Sequence, residues 1–105
     1  MAPVTIRFAE VGHGFGRRLL FAGLTCTIGS NLEMGIATAA MIHLGMAMPA
    51  INSDAFPCDI LSRFYYEGDY LADPLLVDAG RARPFEKPGL GVELDDEKVA
   101  FFGVR

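Results

Sequence analysis

Two unlike patterns of apolar residues follow one another in the first half of the chain. Residues 24–28, LTCTI, are short, apolar and β-branched and are bounded by glycines, which predicts a buried β-strand. Residues 32–48 then stay almost entirely apolar until Pro49, which predicts a helix that is apolar nearly all round and mostly buried in its intended setting. Residues 19–22 are typical of the end of an earlier helix, with Gly23 as its C-cap residue.

The order helix end, strand, helix is the repeating unit of a parallel α/β sheet or barrel, so the predicted fold class is α/β. A parallel strand needs neighbouring strands on its edges. Within this chain the only other candidate before the helix is the β-branched and aromatic run at residues 4–8. The predicted strand at residues 24–28 therefore needs neighbouring strands, and this sequence offers at most one.

The second half of the chain has a different character, with turns and shorter elements. Residues 77–81 predict a miniature strand, turn and strand, and residues 90–94 predict a short strand after the turn at Pro88-Gly89. A last helix is expected over residues 97–102, with Asp95 or Asp96 as its N-cap residue.

Composition narrows the classes of function. The formal net charge is −4, the pI is near 5.0, and no basic stripe is present, so nucleic-acid binding lacks its electrostatic footprint. Cys26 and Cys58 are far apart and outside any CxxC motif. They are interpreted as buried free thiols of a cytoplasmic protein, with no disulfide and no metal site.

The apolar run also calls for a membrane check. Between residues 34 and 51 the only ionisable side chain is His43, and the length approaches that of a spanning helix. The run is rich in Gly, Ala and Thr, contains Pro49, and has no Lys or Arg close on either side. A helix buried inside a protein, without a membrane partner, is the preferred interpretation.

Glu33 is the one carboxylate in an informative position, because it follows the carboxyl end of the predicted strand. Active sites of α/β proteins lie at that edge, where a carboxylate can hydrogen-bond a substrate or assist proton transfer. The alternative is a capping box, since Ser30 and Glu33 fit the S-x-x-E pattern at a helix start. His43 lies mid-helix without a catalytic partner at helical spacing, which favours a structural side chain with one hydrogen bond.

Several motifs in order resemble the mandelate racemase and muconate lactonizing enzyme families of the enolase superfamily. They are GSNLEMGIATAA at residues 29–40, FPCDIL at 56–61, DPL at 73–75 and PGLGVELD at 88–95. The resemblance covers about residues 19–102. It implies the C-terminal fragment of an enolase-type (β/α)₈ barrel, with a C-terminal extension that would join a capping domain.

The resemblance also implies a division of the chain. Residues 1–18 form a divergent N-terminal segment, a possible remnant of the seventh strand and helix. Residues 19–50 are the last β/α unit of the barrel, and residues 51–105 are the C-terminal segment of the capping domain.

Family members abstract a proton next to a carboxylate and stabilise the enediolate with Mg²⁺. By resemblance, Glu33 hydrogen-bonds the carboxylate of a small substrate, and Ser30 and Asn31 are weaker substrate-binding candidates. The metal ligands and base lysines of the family lie on earlier strands, and the only lysines here are Lys87 and Lys98. We therefore expect this chain alone to bind no Mg²⁺ and to be inactive. The alternative is a small non-catalytic protein that self-associates, or complements a barrel fragment, through its apolar helix.

Overall fold

The computed structural model describes residues 14, 16–60 and 62–103. The predicted strand at residues 4–8 lies outside this part of the chain. A central helix, Gly35–Ala47, confirms the predicted long helix but begins three residues later than expected. Leu32 has a positive φ of 59° and Met34, the N-cap residue, is extended, so neither can belong to the helix.

The central helix is buried along one face. Its buried residues, Gly35, Thr38, Ala39 and Ile42, follow the i, i+3, i+4, i+7 spacing of a helical stripe. On other faces Ile36 is 43% exposed and Met46 is 68% exposed. In the described part of the chain the other elements cover only one side of the helix, so its burial in a larger setting stays a prediction.

The predicted strand at residues 24–28 does not form as a regular strand. It makes one isolated parallel bridge, between Cys26 and Ile51, and the amide of Cys26 donates to the carbonyl of Ala50 at 3.0 Å. Leu24 is 54% exposed, so the expectation that this segment is buried is wrong at that residue. A strand becomes regular when neighbouring backbone satisfies its edges, and among the described residues only short stretches near 51 and 58 run alongside it.

The helix end before this segment forms as predicted. Residues 16–21 are helical, and Gly23 has a φ of 74°. The amide of Gly23 donates to the carbonyl of Leu20 at 3.0 Å, and the amide of Leu24 donates to that of Leu19 at 2.9 Å. This pair of bonds is the Schellman arrangement that a C-cap glycine allows.

The predicted miniature hairpin is confirmed, with bounds slightly wider than expected. Strand β1, Leu76–Asp78, pairs antiparallel with β2, Arg81–Arg83. The two linking residues, Ala79 and Gly80, both have positive φ, as a two-residue type I′ turn requires. This hairpin is the regular sheet of the described residues.

The prediction of a continuous strand at residues 90–94 is wrong. Only Leu94 makes a bridge, antiparallel to Leu71. Gly89 and Gly91 have φ values of 68° and 73°, which turn the backbone out of the extended conformation. A side chain at Gly91 would also meet the Cβ of Phe85 at 2.8 Å.

The last helix, Asp96–Phe102, is confirmed with Asp95 as its N-cap residue. The Asp95 side chain accepts hydrogen bonds from the amides of Glu97 and Lys98 at 3.0 and 3.1 Å. Lys98 extends back to donate from Nζ to the carbonyl of Leu71 at 2.7 Å. The last helix is thereby tied to the segment that packs on the central helix.

The core lies between the central helix and the C-terminal half of the chain. Ala39 and Ile42 pack there against Leu71 and Leu75. Partly buried apolar side chains surround this cluster, namely Ile60, Val77, Ala82, Phe85, Leu90 and Val92. Helices and short β-structure thus share one core, in agreement with the α/β class.

Two further expectations concern the membrane and the thiols. Within the described part of the chain, no helix is both long and apolar enough to cross a membrane. Cys26 and Cys58 are free thiols and each is only partly buried, so the expectation that both are buried is wrong.

Candidate functional site

Glu33 lies in the turn that carries the chain from the extended segment at residues 26–28 into the central helix. It is half-buried, and it sits between Leu32, whose φ is 59°, and the N-cap residue Met34. A left-handed conformation costs a non-glycine residue about 1–2 kcal/mol, so the turn needs contacts that hold it.

Local hydrogen bonds provide part of that support. The backbone amide of Asn31 donates to Glu33 Oε2 at 2.9 Å, and the Ser30 hydroxyl lies 3.2 Å from the same oxygen. Ser30 Oγ in turn accepts from the amide of Leu32 at 3.0 Å. The Glu33 carboxylate is therefore held in a defined direction by the turn that precedes it.

The other carboxylate oxygen faces the helix. Glu33 Oε1 lies 3.5 Å from the hydroxyl of Thr38, which is 1% exposed. That hydroxyl lies closer, at 3.2 Å, to the carbonyl of Met34. Because one hydroxyl proton serves one acceptor at a time, the contact with Met34 is the stronger of the two.

The capping-box alternative for Ser30 and Glu33 is wrong in its geometry. The N-cap residue is Met34, and its side chain makes no capping hydrogen bond. Glu33 does accept from a backbone amide, but that amide belongs to Asn31 in the turn and not to the helix. Glu33 therefore has a local structural role in the turn and does not cap the helix.

Ser30 and Asn31, the weaker substrate-binding candidates, are brought next to Glu33 by the same turn. Ser30 does so through its hydroxyl, while Asn31 does so through its backbone amide. The structure therefore gathers all three predicted site residues, with Glu33 at the centre.

Two residues that the sequence did not single out reach this turn from 34 positions away. The Tyr66 hydroxyl donates to the carbonyl of Leu32 at 2.6 Å. Asp69 Oδ1 accepts from the amide of Gly35, the first helical residue, at 3.2 Å. No local sequence signal marks such contacts, because tyrosine and aspartate in a loop are compatible with many other roles.

His43 has the structural role predicted for it. Its Nε2 lies 3.2 Å from the backbone carbonyl of Leu90, to which it donates in the corresponding tautomer. This bond joins the central helix to the loop that follows Pro88.

A groove with a volume of about 580 Å³ lies between the C-terminal half of the central helix and the hairpin. Its walls are largely apolar and include Ile28, Ile42 and Met46. At its edge Arg81 and Asp54 form an exposed ion pair of 3.1 Å. Glu33 does not line this groove, so the two features are separate.

Mg²⁺ does not fit this part of the chain on the residues present. Among residues 14, 16–60 and 62–103, no three His, Cys, Asp or Glu side chains come together as a metal-binding group. A carboxylate site for Mg²⁺ needs several oxygen ligands in near-octahedral order. What Glu33 can offer is a hydrogen bond to an oxygen of a bound molecule.

Comparison with known proteins identifies the family. Residues 20–99 match the family described as enolase C-terminal domain-like. The chain belongs to this family, and hence to the enolase superfamily, as the motifs around Glu33 predict. Members of this superfamily generally use Mg²⁺.

Two curated relatives agree with this assignment. The chain is 35% identical over 80 residues to a probable glucarate dehydratase of Streptomyces coelicolor, which covers 75% of this chain and 17% of the relative. It is 33% identical over 78 residues to muconate cycloisomerase 1 of Rhodococcus opacus, which covers 74% of this chain and 20% of the relative. The chain therefore spans a fifth or less of each relative. No solved structure gives a significant match.

Proposed function

We propose that this chain supplies the last β/α unit and the C-terminal return of an isomerase or lyase of the mandelate racemase and muconate lactonizing enzyme type. Such an enzyme removes a proton next to a carboxylate, and its barrel would include the extended segment at residues 24–28 as the eighth strand. The family match over residues 20–99 supports this proposal. The names of the two relatives, a probable glucarate dehydratase and a muconate cycloisomerase, support a small carboxylate as the substrate class.

In this proposal Glu33 contacts the carboxylate of the substrate. The observation that carries it is the turn, which fixes the Glu33 carboxylate through Asn31 and Ser30 immediately after the extended segment. Two carboxylates repel unless a proton lies between them. A proton shared between the Glu33 carboxylate and the carboxylate of the substrate would remove this repulsion.

The chemistry that Mg²⁺ supplies in the superfamily is charge stabilisation at a developing oxyanion. The described residues of this chain offer no ligand set for the metal. The contribution proposed for this chain is to orient the substrate carboxylate. Catalysis by the chain alone is not expected.

A chimera tests the role of Glu33. The stretch of this chain that aligns with the Streptomyces coelicolor relative would replace its counterpart in that relative, and kcat/KM would be measured with glucarate. We expect Glu33→Gln to lower kcat/KM at least about tenfold, because the amide cannot hold the shared proton. The exposed Glu86→Gln is the matched control and should stay within about twofold of the parent chimera.

The same assay includes the isolated 105-residue chain, for which we expect no turnover above background. A Glu33→Gln chimera that keeps the parent rate at the parent melting temperature would contradict the role of Glu33. Substantial turnover by the isolated chain would contradict its proposed dependence on the rest of an enzyme.

The second candidate function is association without catalysis, either with another copy or with a complementary barrel fragment. It is supported by large apolar side chains that remain exposed, namely Phe21 at 83%, Leu24 at 54% and Met46 at 68%. For this function we expect size-exclusion chromatography with light scattering to give a mass above 11.4 kDa that rises with concentration. A monomer with cooperative unfolding at every concentration would count against it.

A further inference from the structure

Two side chains of one short segment contact the backbone on both sides of Glu33. The Tyr66 hydroxyl donates to the carbonyl of Leu32, the residue before Glu33, at 2.6 Å. Asp69 Oδ1 accepts from the amide of Gly35, two residues after Glu33, at 3.2 Å. Only two residues separate Tyr66 from Asp69, so a single segment holds both ends of the turn.

The Leu32 contact acts where the backbone is least favourable. Leu32 is in the left-handed region, which leucine rarely adopts, and its amide is already bonded to Ser30 Oγ. The Tyr66 hydroxyl binds the carbonyl of the same residue, so both backbone polar groups of Leu32 have fixed partners. This conformation determines the direction in which the Glu33 side chain leaves the backbone.

The Gly35 contact acts at the start of the central helix. The first amides of a helix lack partners within it, and Met34 provides no side-chain cap. Asp69 takes the place of a local cap, and the same Oδ1 also accepts from the amide of Tyr70 at 2.7 Å. A carboxylate at a helix N-terminus is further stabilised by the helix dipole.

We propose that Tyr66 and Asp69 are positioning residues that clamp the turn around Glu33 and fix its carboxylate for the substrate, an inference that rests on the proposed function of Glu33. Neither residue needs to touch the substrate. Their effect passes through Leu32 and Gly35 to the carboxylate, and it couples the C-terminal half of the chain to the candidate site.

The clamp is distinguishable from a general stabilising role. Tyr66 is 41% exposed, and Tyr66→Phe keeps the ring while removing only the hydroxyl. The amide of Asn31 donates to Glu33 Oε2, so its exchange with solvent deuterium reports whether the carboxylate is in place. The amide of Val77 donates to the carbonyl of Leu75, away from this turn, so it serves as a reference that the clamp does not contact.

The test is amide hydrogen exchange by NMR on the 105-residue chain, together with the ¹³C signal of the Glu33 carboxyl carbon. We expect Tyr66→Phe to raise the exchange rate of Asn31 by about threefold to tenfold and to shift the Glu33 carboxyl signal, as loss of one hydrogen bond would do. The exchange rate of Val77 should stay unchanged. Tyr65→Phe, at a side chain 71% exposed, is the matched control and should change none of these signals.

Asp69 is tested by removal and partial restoration. Asp69→Ala should raise the exchange rate of Gly35 by a similar factor, and Asp69→Asn, which keeps an acceptor oxygen, should restore most of the protection. Asp78→Ala, at an exposed position of the hairpin, is the control for loss of a carboxylate.

An unchanged Asn31 rate in Tyr66→Phe, or equal increases at Asn31 and Val77, would overturn the clamp. If the isolated chain proves too unstable for exchange measurements, Tyr66→Phe in the chimera decides. In the chimera, the clamp predicts that Tyr66→Phe lowers kcat/KM and leaves the melting temperature unchanged. A fall in kcat/KM that comes with a lower melting temperature would overturn it. A different outcome separates the clamp from the proposed function. If Glu33→Gln leaves kcat/KM of the chimera unchanged while Tyr66→Phe still raises the exchange rate of the Asn31 amide, the proposed function is contradicted and the clamp is not.

Discussion

Replacing Gly35 with alanine is expected to lower the free energy of unfolding by about 2 kcal/mol, although alanine is the better helix former. Gly35 is buried at the first position of the central helix. A Cβ built there contacts the carboxylate of Asp69 directly and approaches the side chain of Leu71 to 2.6 Å. Leu71 is 2% exposed and cannot move aside without disturbing the core, so the added methyl group must strain the packing.

The same methyl group also weakens the cap that the Asp69 side chain provides at the helix start. Displacing Asp69 lengthens its hydrogen bond with the Gly35 amide, and loss of a helix cap costs about 1 kcal/mol. Overpacking and loss of the cap therefore act together, and they outweigh the gain of roughly 0.5–1 kcal/mol that alanine brings in an ordinary helix.

Gly45→Ala in the same helix is the matched control. The nearest atom to a Cβ at Gly45 is Ile28 Cδ1 at 3.5 Å, an ordinary van der Waals contact. Here we expect a gain of about 0.5–1 kcal/mol from the lower entropy of the unfolded chain. Urea unfolding of both variants measures the two effects, and changes of the same sign would contradict the packing described at Gly35.

The elements that could be predicted from the sequence are those whose causes are local. The glycine at position 23 ends a helix, the Ala79-Gly80 pair forms a tight turn, and Asp95 caps the helix that follows it. Each depends on backbone preferences or hydrogen bonds within a few residues. These elements form as expected, to within a few residues at their ends.

The strand at residues 24–28 could not be predicted with the same success, because a strand depends on its neighbours. The apolar pattern indicates what the segment could become in a parallel sheet. In this chain, among the described residues, its pairing is one bridge from Cys26 to Ile51. A regular strand here would require backbone partners on both edges.

The candidate site divides in the same way. The position of Glu33 after the apolar run, and the family to which it points, could be predicted, and the match over residues 20–99 confirms the family. The role of Glu33 itself stays a prediction. Its support from Tyr66 and Asp69 could not be predicted, since both contacts join residues 34 positions apart in the sequence.

The helix start shows why the capping box failed. Ser30 and Glu33 carry the right residue types at the right spacing, but the pattern fixes a helix start only if Leu32 is helical. Leu32 is instead left-handed, with its amide bonded to Ser30 and its carbonyl bonded to Tyr66. The distant tyrosine thus stabilises the turn against the local alternative.

Leu71→Ala is expected to have the largest effect on stability, a loss of about 2–5 kcal/mol. Leu71 is among the largest fully buried side chains of the described residues, and it packs with Ala39, Ile42 and Leu75. Its removal leaves a cavity between the central helix and the C-terminal half of the chain. Small domains are stable by only about 5–15 kcal/mol, so this loss removes a large share of the free energy of unfolding.

The backbone of Leu71 explains why the cavity would not close easily. Leu71 forms an antiparallel bridge with Leu94, and its carbonyl accepts the hydrogen bond from Lys98 Nζ at 2.7 Å. These bonds hold the Leu71 backbone to Leu94 and to the last helix, which limits its movement into the cavity, so we expect the neighbouring side chains to collapse only partly.

Leu76→Ala is the control for loss of a leucine side chain, because Leu76 is 45% exposed on β1. We expect it to cost less than about 1 kcal/mol, since much of its surface is already in contact with water. Thermal and urea unfolding followed by circular dichroism measure both variants. If the two variants lose the same free energy of unfolding, the contacts between Leu71 and the central helix do not hold the halves of the chain together. The packing that keeps Tyr66 and Asp69 next to the turn around Glu33 would then lose its support.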